Sequence, residues 1–422
     1  GLFRTFASRQ NHPTTRIMEL PLSPQTLAFI RLHRTDDVRT LALQARPSEG
    51  VDLTAALQQI AGWQVARRKL PRWSTTEGVL YPPHLPLEQC SSELTAAYKA
   101  EVLGGGENLT DLTGGFGVDC SYLARGFTHA TYVERQPELC ALARHNLPLL
   151  GCPHVRVHEG EAEAFLDTME PVDALFLDPA RRDAHGGRTV DITDCTPDVA
   201  ALHDRLLRKG RRVLVKLSPM LDIARAVQLL PGVRQVHVVS VHNECRELLF
   251  LLTDGPADGG PVFHCVNFAA GVQRYAFTSA EEQSAACPLA PAVGSYLYEP
   301  NASLLKAGAF RSPAVRFRLS KLHPNSHLYT SDRPAEGFPG RAFTVEAVSG
   351  FGKRELKALT DGIGQANLTV RNFPSTVAEL RRRLKLREGG DIYLFATTLA
   401  DGRKVIVKCK KAPNSSDETD RQ

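Results

Sequence analysis

The stretch that decides the fold is Asp111-Leu112-Thr113-Gly114-Gly115-Phe116-Gly117, which comes directly after the strand-like run at residues 108–112. Glycines between a strand and a helix let the backbone approach a ligand closely, because they carry no Cβ. The glycines do not follow the G-x-G-x-x-G spacing of nicotinamide and flavin enzymes, and an acidic residue precedes the turn. We therefore expect a ligand site here; the alternative is a tight turn in an unrelated α/β protein.

Around this turn, short apolar runs alternate with segments of helical periodicity. The predicted strands are residues 108–112, 130–134, 155–158, 172–178, 212–217, 233–241 and 247–252. The predicted helices between them are residues 117–125, 137–149, 196–207 and 222–230. Such alternation predicts a mostly parallel sheet that is covered by helices on both faces.

Acidic residues follow several of these strands. Glu134 closes the second strand, 23 residues after Asp111, where a carboxylate can accept both ribose hydroxyls of an adenosine. Glu161-Ala162 follows the third strand, where a side chain can contact an adenine; a helix-capping role for Glu161 is the alternative. Asp178 ends the most apolar run, and burial of an unpartnered carboxylate is costly. A hydrogen-bonding or catalytic role is therefore favoured for Asp178.

Taken together and in this order, these motifs resemble the class I S-adenosylmethionine-dependent methyltransferases. The resemblance implies S-adenosyl-L-methionine as the cofactor and no metal ion. It extends to residues 87–95, which precede the first core strand where such enzymes cover the methionine part of the cofactor. The implied cofactor-binding residues are Gln89, Ser92, Asp111, Thr113, Gly114, Gly115, Phe116, Gly117, Glu134, Arg135, Glu161, Ala162 and Asp178.

Two C-terminal stretches narrow the resemblance. Residues 368–374 (LTVRNFP) and 389–397 (GGDIYLFAT) are similar to bacterial methyltransferases that end in a ferredoxin-like and a THUMP-like domain. The implied fold class is α/β, a Rossmann-like core with an N-terminal helical domain and two small C-terminal α+β domains. The expected divisions are a disordered or added tail (1–17), the helical domain (18–86), the methyltransferase domain (87–255), the ferredoxin-like domain (256–340), the THUMP-like domain (341–411) and a disordered tail (412–422).

Composition limits the class of protein. Apolar residues make up 42% and charged residues 23% of the chain, as in globular proteins. No apolar run reaches the roughly 18 residues of a membrane span, so no membrane partner is expected. The nine cysteines form no C-x-x-C pair, and their odd number argues against a disulfide framework. We expect a cytoplasmic protein without a zinc site, and a monomer is favoured.

Charge is unevenly distributed along the chain. Residues 1–340 contain 35 Lys and Arg against 36 Asp and Glu, whereas residues 341–422 contain 16 against 10. Such segregation fits a module that binds a polyanion, although a solvated basic face is the alternative. Because THUMP domains bind RNA, the resemblance favours RNA, either tRNA or rRNA, as the partner.

The sequence also bears on which atom receives the methyl group. Asp178-Pro179-Ala180-Arg181 resembles the enzymes that methylate C5 of uridine, which need a cysteine thiolate just after the next strand. That position here contains Lys216-Leu217-Ser218-Pro219-Met220, and a serine cannot replace the thiolate. C5 chemistry is therefore rejected.

Transfer to a ribose oxygen or a base nitrogen remains. Lys99, Asp178, Lys216 and Glu247 occur in the order of the Lys-Asp-Lys-Glu set of ribose 2′-O-methyltransferases, although the spacing is approximate. Lys99 is interpreted as a helix-surface lysine, so Asp178 and Lys216 are the predicted catalytic residues. Methylation of a base nitrogen would rely on Asp178 and on positioning of the substrate.

Some assignments stay open at this stage. Arg181 and Arg182 are expected to contact a substrate phosphate or to form salt bridges. Asn301 and Lys306 have the character of specific contact residues without an evident role. A protein or small-molecule methyltransferase, or a catalytically silent RNA-binding protein, is the alternative to an RNA methyltransferase.

Overall fold

The computed structural model describes residues 21–46, 48–181, 191–255 and 259–413, without the side chains of residues 84, 85 and 181. Several predicted features lie outside this description. They are the tail over residues 1–17, residues 414–422 of the predicted C-terminal tail, the Arg181 side chain and Arg182. The chain divides into two units, residues 1–176 and 177–422.

The first unit begins with helices, as predicted. They are α1 (Pro24–His33), α2 (Val38–Gln44), α3 (Leu53–Lys69), α4 (Pro71–Thr75), α5 (His84–Gln89) and α6 (Glu93–Leu103). The Ser23 side chain accepts a hydrogen bond from the Thr26 backbone N–H at 3.1 Å, and Pro24 occupies the first turn of α1. This is the helix start that the Ser-Pro pair predicts.

Two helical boundaries have local causes. Pro71 begins α4, because proline fits the first turn of a helix. α5 and α6 are separate helices, since the Ser92 side chain caps the start of α6 by accepting from the Thr95 N–H at 3.3 Å.

Parallel strands and helices alternate in the rest of the first unit. The strands are β1 (Gly106–Asp111), β2 (Phe127–Glu134), β3 (Val155–Glu159) and β4 (Val172–Leu177), which continues into the second unit by one residue. They are connected by the helices α7 (Val118–Leu123), α8 (Pro137–Leu149) and α9 (Ala162–Thr168). Strand order is β4-β1-β2-β3, and every pairing is parallel, as predicted.

Antiparallel pairing dominates the first sheet of the second unit. Its strands are β7 (Gly210–Leu217), β8 (Val233–Val241), β9 (Glu244–Thr253), β10 (Val262–Phe268) and β11 (Val272–Thr278), in the order β7-β9-β8-β10-β11. Two short paired strands precede β7, namely β5 (Ala180–Arg181) and β6 (Cys195–Thr196). Three helices accompany this sheet: α10 (Val199–Lys209) precedes β7, α11 (Ile223–Leu229) precedes β8, and α12 (Ser279–Ser284) follows β11.

The expected break near residue 255 does not end this sheet. β10 pairs in parallel with β8 from Val262 opposite Gln235 to Phe268 opposite Val241, and β11 pairs with β10. Main-chain hydrogen bonds therefore connect residues 262–278 to the strands before the break, and the placement of a domain boundary at 255 stays a proposal.

A second sheet follows in the second unit. Its strands are β12 (Tyr296–Pro300), β13 (Ser320–Lys321), β14 (Tyr329–Ser331), β15 (Gly340–Gly350), β16 (Asn367–Arg371), β17 (Tyr393–Thr398) and β18 (Lys404–Lys411), in the order β13-β14-β12-β15-β18-β17-β16. Its helices are α13 (Ala302–Ala307), α14 (Ser312–Phe317), α15 (Lys353–Leu359) and α16 (Val377–Leu384). None of the helices in the described ranges is long and apolar enough to cross a membrane.

Candidate active site

The glycine turn after β1 is fixed against β2 by backbone hydrogen bonds. The Gly114 N–H donates to the Val133 carbonyl at 2.8 Å, and the Gly117 N–H donates to the Gly114 carbonyl at 2.9 Å. A Cβ on Gly114 would lie 2.2 Å from the Tyr132 ring, and Gly117 has a φ of +91°. Both positions therefore require glycine, the first for space and the second for backbone conformation.

Glu134 is bonded directly to this turn. Its Oε2 accepts from the Gly115 N–H at 2.9 Å, and its Oε1 accepts from the Gln136 N–H at 2.9 Å. Each carboxylate oxygen has two lone pairs, so these two bonds leave acceptor capacity on both oxygens. The carboxylate is thus oriented by the backbone while it can still accept two hydroxyl groups.

Asp111 and Tyr132 complete the turn. Asp111 is buried at the end of β1, and its Oδ1 accepts from the Thr113 N–H at 3.0 Å. The Tyr132 hydroxyl donates to the Gly115 carbonyl. Burial, with a smaller contribution from Glu134, raises the pKa of Tyr132 well above 10, so its hydroxyl keeps the proton that it donates. Hydrogen bonds with Asp111, Glu134 and Tyr132 therefore all position this turn.

Lys99 is not a surface residue, and the interpretation of it as a helix-surface lysine is wrong. Its side chain is fully buried on α6, and its Nζ lies 3.1 Å from Asp119 Oδ1 and donates to Ser91 Oγ at 3.0 Å. The Ser91 hydroxyl in turn donates to Asp119 Oδ2 at 2.8 Å. Since Asp119 lies in the first turn of α7, this buried cluster ties residue 91 to the helix that follows the glycine turn.

The two predicted catalytic residues contact each other in the second unit. Lys216 Nζ donates to Asp178 Oδ2 at 2.7 Å, with 15% and 32% of the respective side chains exposed. Lys216 is the penultimate residue of β7, and Asp178 follows β4 directly. The partial exposure leaves this ion pair accessible to a ligand.

The cysteines of the second unit do not provide a thiolate next to this ion pair. The chain continues from β7 into Ser218, as the sequence indicates. Cys195 is buried on β6, and burial raises the pKa of Cys245 to about 11. A thiol with that pKa is mostly protonated near neutral pH, which makes it a weak nucleophile.

The other predicted cofactor-binding residues differ in how exposed their side chains are. Gln89, Arg135 and Glu161 are exposed, and Glu161 makes no side-chain cap although it stands at the start of α9. Ala162 is buried beside it. The Gly160 N–H donates to the Glu134 carbonyl at 3.0 Å, which brings the start of α9 close to the end of β2.

Phe116 serves mainly to attach the N-terminal helices. It is 4% exposed, and its ring centroid lies 4.7 Å from that of Trp73 and 6.2 Å from that of Tyr81. Its side chain is therefore part of the apolar core, so that its backbone is the part of the residue available to a ligand.

Contacts within the second unit show the structural roles of Asn301 and Lys306. Asn301 Oδ1 caps α13 by accepting from the Ser303 N–H at 3.0 Å, while its Nδ2 donates to Gln273 Oε1 at 3.0 Å. Lys306 Nζ donates to the Leu221 carbonyl at 2.9 Å. Both side chains thus connect α13 to the first sheet of this unit and the loop after β7, a structural role that the sequence does not reveal.

Two important residues were missed by sequence reasoning, Tyr132 and Asp119. Tyr132 belongs to an ordinary strand pattern, and its role is visible only in the structure, where its ring lies against Gly114 and its hydroxyl donates to the Gly115 carbonyl. For the Lys99–Asp119 pair a signal existed. Ala96, Lys99 and Leu103 follow helical spacing, so Lys99 lies on the buried stripe of α6.

The turn fits a nucleoside sulfonium ligand on its own geometry. Outside its chain neighbours, a Cβ on Gly115 would meet only the Thr113 carbonyl oxygen, at 3.8 Å, so a ligand can approach the backbone there. An oriented carboxylate stands at the end of β2, and a second, buried carboxylate stands at the end of β1. Carboxylates suit both the ribose hydroxyls and the positive charge of such a ligand.

Comparisons with known proteins agree with this chemistry. A ferredoxin-like domain family matches residues 296–339, and a THUMP domain-like family matches residues 340–411. Two Mycobacterium tuberculosis proteins (strains CDC 1551 / Oshkosh and ATCC 25618 / H37Rv) are each 28% identical over 323 residues, or 75% of this chain and 84% of theirs. Both are described as uncharacterized S-adenosylmethionine-dependent methyltransferases.

A known crystal structure has the same fold as this chain. A protein of Porphyromonas gingivalis W83, provisionally assigned as a methyltransferase, is 36% identical with a TM-score of 0.83. The similarity covers 92% of this chain and 98% of that one.

Proposed function

Because the chain belongs to the class I S-adenosylmethionine-dependent methyltransferases that end in ferredoxin-like and THUMP-like domains, we propose that it methylates RNA. The enzyme class, the cofactor and the predicted fold class are confirmed by the relatives. The RNA substrate, the receiving atom and the residue roles are our proposal. We further propose that it acts in the cytoplasm, as the cysteine pattern predicts.

One observation in particular favours RNA as the substrate. The segment that matches the THUMP domain-like family is also the basic part of the chain: residues 341–413 contain 15 Lys and Arg against 7 Asp and Glu. A basic module attached to a methyltransferase supports a polyanionic substrate. Such a module has less evident use for a small-molecule substrate.

The glycine turn and Glu134 are proposed to hold the cofactor. The two oxygens of Glu134 would accept the ribose hydroxyls, and Asp111 would lie toward the positive part of the ligand. When bound, S-adenosylmethionine would supply an electrophilic methyl group: a nitrogen or oxygen of the acceptor would gain the methyl group and lose a proton to water, and S-adenosylhomocysteine would leave as a neutral thioether. The protein therefore needs to position the acceptor in line and to exclude water.

Asp178 and Lys216 are proposed to orient the acceptor. Asp178 would accept a hydrogen bond from an exocyclic amine or a ribose hydroxyl, while Lys216 fixes the carboxylate at 2.7 Å. Transfer to C5 of a pyrimidine is not proposed. That reaction needs an activated thiolate, whereas Ser218 follows β7 and burial raises the pKa of the Cys245 thiol to about 11.

The test is transfer of a labelled methyl group from S-adenosylmethionine to RNA isolated from cells that lack the gene. Labelled nucleosides are then identified by mass spectrometry after complete digestion. We expect a label on a base nitrogen or a ribose oxygen, and the Cys245→Ser variant should retain full activity. Label on C5 with loss of activity in Cys245→Ser would overturn the assignment of the atom.

The alternatives give different results in the same assay. Label that enters protein or a small metabolite, and not RNA, would favour a methyltransferase for those substrates. Binding of RNA without any transfer would favour a catalytically silent RNA-binding protein.

A further inference from the structure

Most basic residues of the THUMP-like segment fall into two groups, and the members of the first form ion pairs within the protein. Arg371 Nη2 lies 2.8 Å from Glu299 Oε1, and Arg341 contacts the other oxygen of the same buried carboxylate. On the far side of the segment Arg403 pairs with Asp401 at 2.7 Å. A neighbouring carboxylate offsets the positive charge of each of these side chains, so they attract a polyanion less strongly.

Lys408 and Lys410 belong to the same group. They share the Glu346 carboxylate at 3.9 and 2.8 Å. The carboxylate, mainly through its hydrogen bond, raises the pKa of Lys410. Two of the four lysines of β18 are therefore partly compensated by Glu346 of the neighbouring strand β15.

The second group lies on α15 and α16 and on the residues just after α16, and we name it the helical basic face. Its members are exposed, and in the described part of the chain none of them lies within 4.0 Å of a carboxylate oxygen. They are Lys353, Arg354, Lys357, Arg382, Arg383, Lys385 and Arg387.

The acidic residues on these helices are occupied by capping. Glu355 Oε2 accepts from the Gly352 N–H at 3.0 Å at the start of α15. Glu379 Oε2 accepts from the Thr376 N–H at 2.8 Å at the start of α16. Each carboxylate is held toward the N-terminus of its helix, so the basic side chains farther along dominate the exposed surface.

An aromatic contact joins α16 to the loop that precedes α15. The Arg383 guanidinium carbon lies 4.0 Å from the ring centroid of Phe351, and its Nη2 donates to the Phe351 carbonyl at 3.4 Å. The Phe351 ring packs edge-on against Phe373 at 4.9 Å. A guanidinium stacked on a ring keeps N–H groups for a phosphate and is held in place without an anionic partner.

We propose that the helical basic face binds the phosphate backbone of the RNA substrate, an inference that rests on the proposed function. Exposed Lys and Arg outside ion pairs release counterions from RNA when they contact phosphates, which strengthens binding most at low salt. The surface of α15 and α16, rather than the ion-paired Lys408 and Lys410 of β18, then contacts the RNA.

The test compares two variants with the same loss of charge. Arg382→Gln/Lys385→Gln removes two cations of the helical basic face, and Arg403→Gln/Lys410→Gln removes two ion-paired cations as the control. Binding of fluorescent bulk tRNA, and separately of rRNA, is measured from low to high salt on the full chain. Unchanged melting temperatures establish that both variants are folded.

We expect the slope of log affinity against log salt to become smaller by about 1 to 2 in the helical variant only. Methyl transfer at limiting RNA should fall with it. A helical variant that retains wild-type affinity and slope, or a control that weakens equally, would overturn the assignment of this surface while leaving RNA methylation intact. Failure of the wild-type protein to bind or methylate either RNA would instead overturn the proposed function and this inference with it.

Discussion

Lys216 and Asp178 form an ion pair with a distance of 2.7 Å between Nζ and Oδ2. The two residues are 38 positions apart in sequence, and each lies at or directly after the carboxyl end of a strand. Ligands of open α/β sheets bind at that edge. The pair therefore joins a carboxylate with a fixed orientation to a cation that is partly accessible.

This contact predicts that Lys216→Met lowers methyl transfer to RNA by about 10²-fold or more, because Asp178 loses the donor that orients it. Affinity for S-adenosylhomocysteine should remain within about threefold, since the change affects the acceptor. Arg208→Met, an exposed position on α10, is the matched control and should keep full activity. A Lys216→Met enzyme with the wild-type rate would remove Lys216 from the site.

The buried Lys99 predicts a large effect on stability. Lys99→Met leaves the Asp119 carboxylate without its cation, and loss of one partner of a buried ion pair costs about 3–5 kcal/mol. The double variant Lys99→Met/Asp119→Asn should regain part of this loss. Urea unfolding of both single variants and of the double variant at neutral pH measures this, and a double variant whose loss of stability equals or exceeds the sum of the two single losses would contradict the pairing.

The geometry of the glycine turn predicts that a side chain at Gly114 weakens cofactor binding. Gly114→Ala places a methyl group against the Tyr132 ring and should lower affinity for S-adenosylhomocysteine at least about tenfold, by roughly 1.4 kcal/mol or more. Gly271→Ala, where no atom lies within 4 Å of the added Cβ, is the control. Titration calorimetry on both variants measures the effect, and equal affinities would show that the turn tolerates a side chain.

His237 predicts a loss of stability in mild acid. Burial, followed by the charges of His264 and Arg274, lowers the pKa of His237 from 6.5 to about 3. Between these values the unfolded chain binds a proton that the folded protein does not, so stability falls as pH drops below about 6.5. The loss is at most about 1.4 kcal/mol per pH unit from this one group.

The test compares the free energy of unfolding at pH 7 and pH 5 by urea titration. His237→Gln should reduce the difference between the two pH values, whereas His129→Gln, at an exposed position, should not. An identical pH dependence in wild type and His237→Gln would contradict the burial argument.

Local signals were sufficient for much of the fold. α8 begins at Pro137 and ends at Leu149, and β8 spans Val233–Val241, both with the predicted bounds. In the first case proline marks the first turn, and in the second a β-branched run defines the strand. The glycine turn and Glu134 also lie together as the motif order implies, because parallel strands end at the same edge of a sheet.

Other features depend on packing between distant segments. The helical spacing of Ala96, Lys99 and Leu103 is a signal for the burial of Lys99, but its partner Asp119 lies on α7, and this contact between two helices could not be predicted from a local pattern. The pairing of β10 with β8 crosses a stretch rich in Gly and Pro that is typical of a boundary. The short helix α9 lacks a side-chain cap, so its start has no local marker.

The central claim is that the glycine turn and Glu134 form the S-adenosylmethionine site. Its most direct test is calorimetric titration of S-adenosylhomocysteine into the intact protein and into Glu134→Ala. We predict micromolar binding, about 8 kcal/mol, to the intact protein and its loss in the variant. Equal binding to both proteins, or no binding to the intact protein, would contradict the account.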